Sequence, residues 1–141
     1  MAIQPSAEQF PHGADVGVRG IGRSKAEAFE QAALALTGIV TDAAKVALRR
    51  KIEIECAAPT DLLLLADWLN RLIYEMAVGR AIFGRFVVAI EDGCLRAEAW
   101  GEEVDRARHA PAVEPKGATF TALKVETRAD GAWVAQCVID V

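Results

Sequence analysis

The chain has little of what most small catalysts use. It holds only two histidines, His12 and His109, and no nucleophile stands beside a base. P-loop, GxGxxG, GxSxG and HExxH patterns are all missing. Cysteine is equally sparse. Cys56, Cys94 and Cys137 are odd in number, far apart and without a CxxC spacing, which argues against a zinc site and against a disulfide framework. They read instead as small buried hydrophobes. No apolar run reaches the roughly 18 residues of a membrane span. The longest candidate, Leu62 to Leu72, is interrupted by Asp67, Asn70 and Arg71. The opening MAIQPSAEQF has no basic segment and no apolar segment of a secretory signal, so a cytoplasmic location is expected. A positive excess is lacking too: 16 basic against 20 acidic residues give a formal charge of −4. The one basic cluster, Arg49-Arg50-Lys51, sits beside Glu53 and Glu55. Direct nucleic-acid binding, which favours a basic stripe, is therefore not expected.

What is present is material for one core. The 141 residues are 52% hydrophobic, enough to exclude general disorder and about the length of a single domain, residues 1–141. Ala14, Val16 and Val18 alternate with polar or small residues, a strand pattern that Gly20 and Gly22 end. Ser24 and Glu27 form a capping box for a helix carrying Ala26, Phe29, Ala33 and Leu36, with Gly38 as its stop. Lys51 to Cys56 alternates as a second strand. Pro59 breaks it, and Thr60 or Asp61 caps a helix from about Leu62 to Val78. Its apolar stripe is Leu62, Leu65, Leu69, Leu72 and Met76, widened by Leu64, Trp68 and Ile73. Ile82–Ile90 and Leu95–Trp100 form a hairpin about Asp92-Gly93. Glu102 to Pro115 reads as a long polar loop, functional or mobile. Thr119–Glu126 and Trp133–Asp140 make a last hairpin around Asp130-Gly131. The fold class expected is α+β: two helices packed on a largely antiparallel or mixed sheet, with a strand–helix–strand–strand core.

Candidate chemistry lies in oxygen ligands. Asp15 opens a strand, Asp140 is penultimate, and Val141 supplies a terminal carboxylate. If the last strand lies beside the first, these three groups converge, and converging carboxylates favour a cation between them. An all-oxygen set suits Ca²⁺, Mg²⁺ or Mn²⁺ rather than zinc. The plainer reading makes each acid a solvated strand end. The loop offers a second set, Glu102, Asp105, His109, Glu114 and Lys116. A charge run is usually a solvated face, and a lone loop histidine is usually on the surface. Lys116 stands apart, because it follows Pro115 and precedes a strand, which fixes its position.

Together these segments resemble archease. His12, Ala14 and Asp15 match an Asp-His-Thr-Ala-Asp pattern opening a strand. Ser24 to Glu30 with Ala32 to Leu36 resembles the family's first helix, and Asp61-Leu62-Leu63 with Trp68-Leu69-Asn70 its second. Gly101-Glu102, Asp105 and His109 fit the family's loop, Lys116 and Thr119 its following strand. Trp133 to Gln136 and Asp140-Val141 match its C-terminus. The sequence departs at Pro11, Gly13 and Gly117, and at Phe120-Thr121 where Tyr-His is common, which fits a divergent, bacterial member. The resemblance implies a non-enzymatic accessory protein of a GTP-dependent RNA ligase. Such a protein promotes the ligase–GMP intermediate and multiple turnover in tRNA splicing or RNA repair. It also implies a divalent cation, Ca²⁺ first, at Asp15, Asp140 and Val141. His12, Glu102, Asp105, His109 and Lys116 are then candidate partner contacts. The alternatives are a small metal-dependent phosphoester hydrolase and a general protein-binding chaperone module.

Overall fold

The computed structural model describes residues 2–141. Eight strands and three helices follow in the order β1 (Ser6–His12), β2 (Asp15–Gly22), α1 (Lys25–Val40), β3 (Arg50–Ala57), α2 (Asp61–Val78), β4 (Ala81–Glu91), β5 (Cys94–Glu103), α3 (Arg106–His109), β6 (Gly117–Ala118), β7 (Lys124–Thr127) and β8 (Trp133–Asp140), with one 3-10 turn at Ala43–Lys45. The fold is α+β, as expected. The strands form two sheets rather than one, ordered β1-β2-β8-β6 and β3-β5-β4, with β7 also on β8. Every pairing among the described residues is antiparallel.

Local chemistry accounts for most boundaries. Ser24 Oγ accepts the Glu27 N–H at 3.1 Å, while the Glu27 carboxylate turns back to the Arg23 N–H at 2.8 Å instead of the capping residue's own. Thr60, not Asp61, caps α2 by accepting the Leu63 N–H at 3.2 Å. Asp92 and Gly93 both take positive φ, +51° and +75°, as a two-residue hairpin turn requires.

Several expectations need correction. Gly38 does not stop α1, which runs on to Val40. A Cβ there would lie 2.5 Å from Gln9 Nε2, and that amide donates to the Ala35 carbonyl at 2.9 Å, so Gly38 makes room for a side chain from β1. The strand β1 itself was not expected. It pairs with β2 through a tight turn in which Gly13 takes φ +60°. Of the strand expected over Thr119–Glu126, only Lys124–Glu126 forms, within β7, while the two-residue β6 precedes Thr119. The Thr119 hydroxyl bonds the Val138 carbonyl at 2.9 Å, the Thr121 carbonyl accepts the Val138 N–H at 3.2 Å and Ala122 takes φ +52°, so a turn fastened to Val138 interrupts the ladder. Leu62 is 41% exposed and leaves the stripe on α2. Cys94 is exposed, Cys56 half-buried, and only Cys137 is fully buried.

One core joins both sheets through the helices. Phe29 and Leu36 of α1, Leu65, Trp68 and Leu72 of α2, Ile54, Phe86 and Leu95 of one sheet, and Val18, Cys137 and Ile139 of the other belong to the same buried cluster. Trp68 meets Phe86 edge to face at 5.9 Å and donates its indole N–H to the Phe29 carbonyl at 3.1 Å, tying α2 to α1. No helix among the described residues is long and apolar enough to cross a membrane.

Candidate functional site

Strand β8 is central in its sheet, so its last residues acquire neighbours on both sides. Val16 of β2 pairs with Ile139 on one side, and Gly117 of β6 pairs with Asp140 on the other. Asp15 therefore begins β2 beside the end of β8. Its Oδ1 accepts the Val141 N–H at 3.4 Å. The Lys116 N–H donates to the Asp140 carbonyl at 2.7 Å. His12 pairs with Asp15 across the β1–β2 hairpin. Thus one end of this sheet gathers His12, Asp15, Lys116, Asp140 and Val141. Asp15 and Val141 are half-buried, whereas His12, Lys116 and Asp140 are exposed. Asn70 of α2 secures the neighbouring strand by accepting the Ala118 N–H at 2.8 Å. No three or more His, Cys, Asp or Glu side chains cluster in metal-holding geometry among the described residues. Asp15 and Asp140 bring two carboxylates to this end of the sheet.

Glu102, Asp105 and His109 form a separate cluster, and two of them are buried. Glu102 is 5% exposed and His109 2%, so neither is the surface residue that a polar loop suggests. Four hydrogen-bond donors and one further ion-pair contact converge on the Glu102 carboxylate. Arg108 grips it with both terminal nitrogens at 2.6 and 2.7 Å, the Ala47 N–H at 2.6 Å, His109 Nε2 at 3.0 Å and Arg49 Nε at 3.3 Å. The Arg108 fork above all, then the Ala47 N–H and His109, hold the Glu102 carboxyl far below the usual carboxylate range against the opposing effect of burial. The Asp105 N–H donates to His109 Nδ1 at 2.8 Å, which leaves the proton on Nε2 to be donated to Glu102. The Asp105 carboxylate caps α3, accepting the Ala107 and Arg108 N–H groups at 3.0 and 3.2 Å. The segment expected to be a long polar loop, functional or mobile, is held down as a strap. The His109 carbonyl accepts the Thr41 hydroxyl at 2.5 Å, and the Ala112 N–H reaches the Val40 carbonyl at 2.9 Å. Between the strap and α2 lies an open cleft of about 550 Å³, with Met76, Arg80 and Val113 in its walls.

The comparisons with known proteins agree with one another. Residues 8–141 match the model of the Archease protein family (MTH1598/TM1083). The protein archease of Pyrococcus furiosus is 38% identical over 138 residues, covering 95% of this chain and 97% of that one. The solution structure of protein 1598 from Methanobacterium thermoautotrophicum superposes with a TM-score of 0.79 at 27% identity, covering 96% of this chain and 99% of that one. An archease from Thermotoga maritima, described as a possible chaperone, shares the fold with a TM-score of 0.58 at 19% identity, covering 95% of this chain and 96% of that one. The chain belongs to the archease family.

Proposed function

We propose that this protein is a non-enzymatic, cytoplasmic accessory protein. It binds a divalent cation and promotes guanylylation and turnover of a GTP-dependent RNA ligase. The observation that carries the reading is the meeting of β2 with the end of β8, where the Val141 N–H rests on Asp15 Oδ1 at 3.4 Å and Asp140 stands alongside. The donor set fits a hard cation. Asp15, Asp140 and the Val141 α-carboxylate offer only oxygen, with no thiolate among them, which suits Ca²⁺ first and Mg²⁺ or Mn²⁺ after it. When bound, such an ion supplies neutralisation of phosphate charge and alignment of a leaving group at a nucleotide-transfer centre.

The chain's own residues do the rest. Asp15 and Asp140 hold negative charge at an exposed sheet end, and β8 keeps them in register. Lys116, anchored through its backbone to Asp140, presents an ammonium that suits a phosphate or carboxylate of the partner. The family assignment supports an accessory role, and the Thermotoga relative's description as a possible chaperone points the same way. The test is calorimetric titration of Ca²⁺, Mg²⁺ and Mn²⁺ into untagged protein and Asp140→Ala, together with ligase–GMP formation. Affinity should fall by more than about tenfold in Asp140→Ala, as for other losses in a metal shell. Asp15→Ala should lose stimulation in parallel. Full stimulation of the ligase by both variants would overturn the reading.

A further inference from the structure

The strap ends where the carboxylate end begins. Starting from Asp105, it passes through α3, is fastened to the end of α1 at Thr41 and Val40, turns through the buried Pro115, and delivers Lys116 to the Asp140 carbonyl. Its first fastening is the Glu102 carboxylate, which holds Arg108 and His109 together while also gripping Ala47 and Arg49 from the other side. Glu102 belongs to β5, in the sheet that does not contain Asp15 or Asp140. It therefore ties the strap to the opposite sheet and touches nothing at the carboxylate end.

We infer that Glu102 is a positioning residue: it locks the strap 105–116 and so fixes where Lys116 stands beside Asp140. This rests on the proposed role of the carboxylate end. It makes Glu102 and His109 internal fastenings, and leaves Lys116 as the group the partner meets. A mere contribution to stability would loosen the whole fold alike. A lock loosens the strap and spares the sheets.

Native-state amide hydrogen exchange separates these outcomes in Glu102→Gln, with Arg108→Met as a second variant because its side chain is 40% exposed and its loss spares the core. The Ala112 and Lys116 amides should exchange about tenfold faster in both variants, local opening being the event that exchange detects. The Ala118 amide, held by Asn70, and the Val18 amide in β2 should keep their rates. Unchanged exchange at Lys116, or an equal acceleration at Val18, would overturn the lock. Lys116→Ala, assayed for ligase stimulation, tests the functional reading on its own: its failure there leaves the exchange result and the lock standing.

Discussion

Helix α1 lies directly on the backbone of β2, and Gly20 is what allows it. A Cβ at this position would stand 2.0 Å from the Ala28 carbonyl oxygen and 2.3 Å from the Ala32 nitrogen. Both are helix backbone atoms, so no side chain can swing aside. Ordinary contact begins near 3.4 Å, so Gly20→Ala must push α1 away by roughly 1.4 Å. A gap of about 1 Å already forfeits up to about half of the dispersion energy of the atoms that part. The atoms concerned include the fully buried Val18, Ala28, Ala32 and Ala135. Overpacking costs about 1–3 kcal/mol in general, and this geometry places Gly20→Ala at or above the upper end. For a domain of this length about 3 kcal/mol lowers Tm by roughly 12 °C. Gly131→Ala is the control. Its φ is +90° and no atom lies within 4 Å, so only backbone strain is added, about 1–2 kcal/mol. Thermal and urea unfolding of the three proteins would show the difference. A Gly20→Ala protein no less stable than Gly131→Ala would refute the claim that α1 rests on this glycine.

The acid side of the stability profile should depend on Glu102. Its folded-state pKa is depressed, so its contribution is full above the unfolded value near 4.3 and is lost as pH falls through the folded value. Opening of the strap, read as exchange of the Ala112 amide relative to Val18 from pH 6 down to pH 3, should therefore rise more steeply in the native protein than in Glu102→Gln; parallel profiles would count against the network. Thiol reactivity should divide the cysteines. Cys94 is exposed and should react with a disulfide reagent in the native state, whereas burial pushes the Cys137 thiol up to about 11 and should leave it unreactive until the protein unfolds.

What could be read in the sequence follows the range of the interaction. The Ser24 and Thr60 caps and the Asp92-Gly93 turn depend on residues two to four apart, and they appear where their patterns stand. Strand β1 could not be read this way. Ser6–His12 has no apolar face, contains Pro11, and exists as a strand because β2 lies alongside it. Gly38 carries a stop signal that packing overrides, since its neighbour is a glutamine from another strand. The carboxylate end was visible as three isolated acids, and only the β2–β8 pairing supplies their proximity across more than a hundred residues of chain. The Glu102 network was the least legible. The buried carboxylate stands in a strand and its arginine and histidine partners in a separate short helix, so no single period links them, and the polarity of the segment argued for solvent.

Carboxylates gathered at one sheet end repel each other, so the fold must hold them by other means. Asp140 is exposed, and in a water-like dielectric two unit charges about 5 Å apart repel by on the order of 1 kcal/mol. Against this stands β8, whose residues Val134 to Ile139 are all buried. Burying a valine or isoleucine side chain stabilises by about 1.5–3 kcal/mol, and Val134, Val138 and Ile139 alone exceed the repulsion several-fold. Both edges of the strand are also taken, by β2 on one side and by β6 and β7 on the other. The end of β8 therefore cannot relieve the repulsion by fraying. The packing of β8 and the Val141 N–H on Asp15 hold the like charges together, as the proposed cation site would require to be preorganised.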